Sequence, residues 1–495
     1  MMNKIIFKQP KTFYNTQNKK YITYFFIYLL LLLNFLLIHK YNIFVGDDAY
    51  LLSFIKNFNF LDKTYSILCE KQTDNQILIK ILGPFYKIYF ESGLSIINYF
   101  NLELIWIRVF SFLLFLISFL FFLKILKKTT YKFYFILIFL TLEPFVVMAH
   151  SIRHDIVIFL GIIIFFYSII NKRESSLKNN LILFLCWSLL ITHPSGYPFL
   201  FTSVLFEFFF RRKNFLYSIF IGIFIIFIFL YSKKFLNIEN IQNFLHLFNL
   251  ESTNIRKEAA FTFEKFYDYF WLSKYKRHIL EVPIFIIYIL NFFYFKKLNL
   301  ENKFILLIPC NVILIFYLLG YFNVSYLKHL YIACIMCTII ISKDSSFNKF
   351  IKNLIILLSC LCFIMFFLIA IIFLPHNSWT NFYSSSLIFN KYISKDRVVS
   401  APFYMLFMNN NMNFIPITAL GNNNFYCFPE NIKISKIDTI ILDTQILAKI
   451  KNNDQQYVNL TNYLKNFKLV EKIYVGRLAT QSLQMNGFMY IYTKL

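Results

Sequence analysis

The sequence predicts an α-helical polytopic membrane protein. About 11 transmembrane helices, with amphipathic helices on the outer face, precede a small C-terminal α/β soluble domain. Three observations predict it. Hydrophobic residues are 58% of the chain and charged residues only 15%, well away from the balance of a soluble domain. The apolar residues, 66 Phe among them, come in runs long enough to cross the hydrocarbon layer of a bilayer. After about residue 374 the runs give way to alternating polar and apolar residues. This balance excludes a disordered chain, a disulfide-built secreted module and an ordinary soluble enzyme. The abundance of Asn, Lys, Ile, Phe and Tyr resembles the product of a low-GC genome, which inflates the lysine count without implying function.

The predicted spans lie at about 21–39, 104–123, 133–150, 155–170, 179–193, 197–210, 214–231, 279–295, 304–322, 327–342 and 353–374. The fifth and sixth also read as one broken hairpin, because Pro194, Gly196 and Pro198 forbid a straight helix between them. The first span reads as a signal-anchor, being too long for the core of a cleaved signal peptide. The formal net charge of +25 does not point to nucleic acid. Much of it sits in short clusters between the apolar runs: Lys19-Lys20, Lys127-Lys128, Lys172-Arg173, Arg211-Arg212-Lys213 and Lys296-Lys297. With the N-terminus inside, alternation of the spans puts every one of these clusters on the cytoplasmic side.

Three long segments then fall outside: 40–103, about 232–278, and 375–495. Stretches 48–60 and 85–100 of the first read as amphipathic helices at the outer interface. The third holds strand candidates at Arg397–Ala401, Ile437–Leu442, Leu469–Val475 and Phe488–Thr493, with a helical stretch at about 455–466. Two domains are expected, 1–374 in the membrane and 375–495 extracytoplasmic. Six of the eight cysteines lie in spans as small apolar residues, Cys334 and Cys337 among them. Cys69 and Cys427 face outside, and whether they pair is left open by the sequence.

Four groups of residues carry chemistry. Asp47-Asp48 follows the first span; neighbouring carboxylates raise one another's pKa and suit one of them to accept a proton, although a helix N-cap also accounts for them. Arg153-His154-Asp155 opens the fourth span, where Asp155 could cap the helix and Arg153 could snorkel to headgroups. Thr192-His193-Pro194 marks the helix break, where an imidazole either satisfies a turn or binds phosphate. Lys328-His329 opens the tenth span, where a helix N-terminus favours an anion and a snorkelling lysine is the alternative. A basic run, Lys274, Lys276, Arg277 and His278, at the outer start of the eighth span reads as headgroup contact. No glycine-rich phosphate loop, nucleophile elbow or zinc-ligand spacing is present, which argues against ATP-driven work.

The order of these motifs resembles polytopic glycosyltransferases of the GT-C superfamily, closest to the bacterial protein-mannosyltransferase and aminoarabinose-transferase group. That group has an acidic pair after the first span, matched here by Asp47-Asp48-Ala49-Tyr50 with the tyrosine one residue early. Gly83-Pro84-Phe85-Tyr86, Arg108, Arg153-His154-Asp155 and His193-Pro194 match its later motifs in order. Lys328-His329-Leu330-Tyr331 is a looser counterpart of a basic-aromatic motif. The resemblance covers roughly 20–200 and, more weakly, 320–345; the middle of the chain and the C-terminal segment do not align.

The resemblance implies a sugar donor linked to polyprenyl phosphate, an acceptor that is a glycan, lipid or protein, and no nucleotide. It implies a bacterial inner-membrane location with the reaction on the extracytoplasmic face. Phosphate leaves readily, so the site needs a base for the acceptor hydroxyl and cations for the phosphate. Asp47 is the implied base, in an inverting single displacement, with Asp48 and Asp155 orienting the acceptor or holding a divalent ion such as Mg²⁺ or Mn²⁺. Arg153, His193, Lys328, His329, Tyr50 and Tyr86 are the implied contacts to the donor. Two other classes stay open: an O-antigen polymerase or ligase relying on outer Arg and His, and a transporter or flippase, for which the span-end carboxylates and the lack of a repeat are poor fits.

Overall fold

A computed structural model describes residues 13–37, 96, 99–100, 107–129, 131–150, 155–170, 177–211, 217, 219–225, 282–318, 327–343, 349–373, 391–392, 397–401, 413–417, 437–452, 460–479 and 484–495. It is mostly helical with a few strands. The helices are α1 (Phe13–Leu37), α2 (Ile107–Ile125), α3 (Lys132–Thr141), α4 (Glu143–His150), α5 (Asp155–Ile170), α6 (Leu177–Leu190), α7 (Tyr197–Phe210), α8 (Val282–Leu290), α9 (Leu300–Leu318), α10 (Leu327–Ile341) and α11 (Lys349–Phe373). Each falls on a predicted span, and helical residues at 219–225 fall on the predicted seventh.

By length and composition, two described helices suffice to cross a membrane: Arg108–Ile125 and Lys349–Leu368. A third is reached if α3 and α4 count as one span bent by 54°. Shorter apolar helices lie within α1, α5, α6, α7 and α10. The predicted straight span at 133–150 is therefore two helices. Its cause is Pro144, which has no N–H and ends the hydrogen-bond ladder that α3 began. Likewise the predicted span at 279–295 is α8 followed by a 3₁₀ turn, Asn291–Lys297.

The helices pack through a continuous apolar cluster rich in aromatic rings. Phe139 stacks on Phe122 at 4.4 Å and Phe115 at 5.2 Å, and meets Phe159 at 5.5 Å, so one ring locks α2, α3 and α5 together. Gly161 lets α5 and α6 approach closely: a Cβ there would lie 3.0 Å from Leu190 Cδ2. Trp187 Nε1 donates to Ser203 Oγ (2.9 Å), tying α6 to α7.

Charged residues mark the end of the bundle remote from Asp155. Arg211 ion-pairs with Glu207 (3.1 Å) and also donates to the Ser168 carbonyl near the C-terminus of α5. Lys124 sits over the rings of Phe121 and Tyr167, and Lys352 over Tyr131 at the start of α3. Ser168 is about 20 Å along α5 from Asp155 at 1.5 Å per residue.

After α11 come β1 (Val398–Ala401), β2 (Asn413–Pro416), β3 (Ile437–Asp443), α12 (Thr444–Lys451), α13 (Leu460–Leu464), β4 (Phe467–Ala479) and β5 (Gln484–Lys494). They form one mixed sheet in the order β2-β1-β3-β5-β4, with β1 parallel to β2 and β3 and the β3-β5-β4 part antiparallel. All four predicted strands are present, β4 longer than predicted. Of the predicted helix at about 455–466, residues 455–459 lie outside the described residues and α13 covers Leu460–Leu464; β2 and α12 add to the sequence reading. Asp443 caps α12, its carboxylate accepting from the Ile446 N–H at 2.7 Å.

The period of two along β3 divides the sheet. Ile440 and Leu442 join a local core with Ile446 and Leu460 beneath α12 and α13. Ile441, Ile473 and Ile491 point the other way and belong to the apolar cluster that runs through the helices. Tyr392 ties the chain ahead of β1 to the sheet, donating to Glu471 Oε2 at 2.7 Å. That hydrogen bond holds the phenol above its ordinary pKa, with desolvation and the Glu471 charge adding to it.

Candidate functional site

The candidate site lies where α5 and α10 begin. Asp155 is the first residue of α5 and Lys328 the second of α10. Lys328 Nζ lies 2.6 Å from Asp155 Oδ2, and His329 Nε2 lies 3.5 Å from Oδ1. The Asp155 side chain is 2% exposed and that of Lys328 19%. The carboxylate therefore meets a lysine and the N-terminus of its own helix, with an imidazole nitrogen close by. Lys328 lies near the N-terminus of its own helix, which repels a cation. Asp155 offsets that repulsion, leaving a partly exposed ammonium at a helix end. One turn further along, the buried Tyr331 ring packs edge-on against Phe285 at 5.2 Å.

The turn between α6 and α7 adjoins this end. Pro194–Gly196 is a 3₁₀ turn. Gly196 is required there, since a Cβ on it would lie 2.1 Å from the Leu190 carbonyl oxygen and 2.9 Å from Ile158 Cδ1, one turn along from Asp155. His193 is buried and its Nδ1 accepts from the Ser195 backbone N–H (3.2 Å), with Ser195 Oγ at 3.0 Å. Accepting at Nδ1 assigns the ring hydrogen to Nε2. The imidazole's first role is to hold the turn.

A second polar group closes the same end from the side of α1. Asn34 is buried in the apolar run of α1, and its side-chain amide donates to the carbonyls of Leu30 (2.9 Å) and Leu140 (3.1 Å). His150, the last residue of α4, donates from Nε2 to the Asn34 carbonyl at 2.8 Å, its ring parallel to Phe112. Arg108 is buried at the start of α2, close enough to His150 to interact with it electrostatically.

The structure thus brings together Asp155, Lys328 and His329, with the His193 turn against the first turn of α5. Asp47, Asp48, Tyr50, Tyr86 and Arg153 lie outside the described residues, as do Cys69 and Cys427. Among the described residues no group of three or more His, Cys, Asp or Glu is placed to hold a metal ion. Sequence reasoning passed over Asn34 and gave His150 no role. Asn34 was signalled, since an amide within an apolar run needs a partner and Pro144 leaves the Leu140 carbonyl without its helical donor; nothing in the sequence signalled the His150 contact. Comparison with known protein families, curated proteins and solved structures finds no match to this chain.

Proposed function

We propose that the chain is a polytopic membrane glycosyltransferase. It moves a sugar from a polyprenyl-phosphate donor to an acceptor hydroxyl on the extracytoplasmic face of a bacterial inner membrane. The observation that carries this reading is the Lys328–Asp155 contact of 2.6 Å at two helix N-termini, beside the His193 turn. Such an end suits a group with phosphate charge: a partly exposed ammonium and helix N–H groups attract it, and Asp155 keeps the ammonium from being buried unpaired. The motif order from Asp47 to Tyr331 supplies the rest of the support. About eleven spans, an N-terminus inside and an extracytoplasmic C-terminal domain belong to the same proposal.

In the proposed reaction the acceptor oxygen attacks the anomeric carbon while Asp47 takes the hydroxyl proton. The bond from that carbon to the phosphate oxygen breaks, and the electron pair leaves with the polyprenyl phosphate. Lys328, Arg153 and the Nε2–H of His193 face the growing phosphate charge, and the anomeric centre inverts. A transporter fits less well, because Asp155 and Lys328 begin helices rather than lying midway along them. The test is sugar release from labelled polyprenyl-phosphate donors in membranes holding equal amounts of wild type and Asp47→Asn. Release by wild type with a loss of about 100-fold in the variant supports the proposal. Equal turnover removes Asp47 from the chemistry, and no release across several donors overturns the transferase reading.

A further inference from the structure

We infer that Cys337, Thr338 and Tyr288 are positioning residues: with Asn291 they close a ring of buried hydrogen bonds that sets how far α10 is inserted between its neighbours, and so brings Lys328 to Asp155. The value of that placement to catalysis rests on the transferase reading, but the ring itself rests on geometry alone.

The ring forms around a defect in α9. Pro309 lies inside this helix and has no N–H, so the Ile305 carbonyl four residues earlier lacks its helical donor. Ile305 is buried, where a carbonyl left alone is costly. The Cys337 thiol supplies the donor from α10, with Sγ 3.0 Å from the Ile305 oxygen. The next carbonyl, that of buried Leu306, accepts from the Tyr288 phenol of α8 at 2.7 Å, and Cys310 Sγ lies 3.3 Å from the same phenol oxygen. Two neighbouring helices thus take adjacent carbonyls of α9.

Thr338 closes the ring from the other side. Its hydroxyl donates to the Cys334 carbonyl one turn back at 2.9 Å. The same oxygen accepts, also at 2.9 Å, from the amide of Asn291 in the 3₁₀ turn that continues α8. Cys337, Thr338 and Asn291 are all buried. Two consecutive residues of α10 therefore bond to two different neighbours, and sliding the helix or rotating it by one residue, about 100°, breaks both bonds. Lys328 precedes Cys337 by nine residues, about 14 Å along the same helix at 1.5 Å per residue. Asp155, its partner, belongs to α5, which is tied to α9 at the opposite end. There Arg211 donates to the Ser168 carbonyl of α5, while Phe206 and Phe210 pack on Phe304 of α9. The ring and that tie together fix both sides of the Lys328–Asp155 contact.

The experiment uses the full chain in native membranes. A hydrophobic carbodiimide activates buried carboxylates; the Lys328 amine then displaces the urea and leaves an amide between Asp155 Cγ and Lys328 Nζ, counted by mass spectrometry of the joined peptides. Cys337→Ala deletes the donor to Ile305, and Cys337→Ser restores it with an O–H. Thr338→Val deletes the acceptor for Asn291, and Thr338→Ser restores it. The two positions are tested separately, so either pair suffices if a variant at the other fails to accumulate. Cys337→Ala and Thr338→Val are each expected to lower the joining about fivefold, the scale of one net hydrogen bond, and the serine variants to return toward wild type. In the sugar-release assay the same two variants are expected to lower kcat about tenfold with the donor KM unchanged. Joining that is unaltered in both, or absent from wild type, overturns the inference. An equal fall in the serine variants also overturns it, because the effect then reports packing and not the hydrogen bonds. Reduced joining with unaltered kcat in an active enzyme keeps the ring but refutes its positioning role. Reduced joining in a chain whose wild type releases no sugar keeps the ring and refutes the transferase reading beneath it.

Discussion

Replacing Lys328 or Asp155 separately and together tests whether the two charges at the start of α5 and α10 act as one unit. Removing one partner of a buried ion pair costs about 3–5 kcal/mol, because the other charge is left without compensation. The two partners are not equally buried, and this decides the order of the effects. Asp155 is 2% exposed and cannot reach water, so Lys328→Met takes nearly the full penalty. His329 at 3.5 Å and the α5 N-terminus offset part of it, the latter by about 0.3–1 kcal/mol, leaving roughly 3 kcal/mol. Lys328 is 19% exposed, and without the carboxylate its flexible stem can swing outward. Asp155→Leu should therefore cost about 1–2 kcal/mol, part of it the uncompensated cation at the α10 N-terminus. The double variant Asp155→Leu/Lys328→Met removes both charges and should fall within about 1 kcal/mol of wild type. Thermal unfolding of the three variants in one detergent gives the cycle. Single effects that simply add in the double variant, to within about 0.5 kcal/mol, would show that the two groups do not interact and would remove the basis of the site.

Further outcomes follow from the packing. Gly196→Ala should fail to accumulate or lose about 3 kcal/mol or more, since its Cβ would overlap the Leu190 carbonyl oxygen at 2.1 Å, whereas Gly161→Ala, 3.0 Å from a movable leucine side chain, should cost about 1 kcal/mol; expression and melting compare them. Asn34→Leu should cost about 1–3 kcal/mol by leaving the Leu140 carbonyl buried and unsatisfied, read by the same melts, and a neutral result would mean that the bend finds another donor. Asp443→Ala should cost about 1 kcal/mol through the lost cap of α12. The Tyr392 phenol is raised in the folded chain, so its contribution is complete below the unfolded-state value and is lost as pH rises through the raised one; Tyr392→Phe should therefore lower stability at neutral pH, and the melts of variant and wild type should converge as the solution is made alkaline.

Much of the helical layout was legible because apolar runs and their polar breaks are direct consequences of sequence. Pro194, Gly196 and Pro198 announced the turn between α6 and α7, and alternation along 437–442 and 488–493 announced the strands facing two cores. The bend at Pro144 is absent from the predicted span 133–150, whose apolar run continues on both sides of Glu143-Pro144. β2 escaped because Asn413–Pro416 shows no alternation and is held in place by pairing with β1. At the site, helix ends were legible but partners were not. Nothing in the spacing of Asp155 and Lys328, far apart in sequence, could show that the lysine reaches this carboxylate. Nor could it show that Asn34 reaches Leu140, because such contacts are fixed by which helices become neighbours.

The 54° bend shortens as well as turns. Eighteen residues of straight helix would rise about 27 Å at 1.5 Å each. The ten residues of α3 rise about 15 Å, and the eight of α4 add only about 7 Å along the same direction while travelling about 10 Å sideways. His150 consequently stops about one helical turn short of where an unbent chain would place it, five residues before Asp155 in the sequence. A carboxylate 2% exposed and an ammonium 19% exposed act on one another through a less polarisable medium than they would in open water. Burial of this kind strengthens their attraction for one another and raises the penalty for leaving either of them alone.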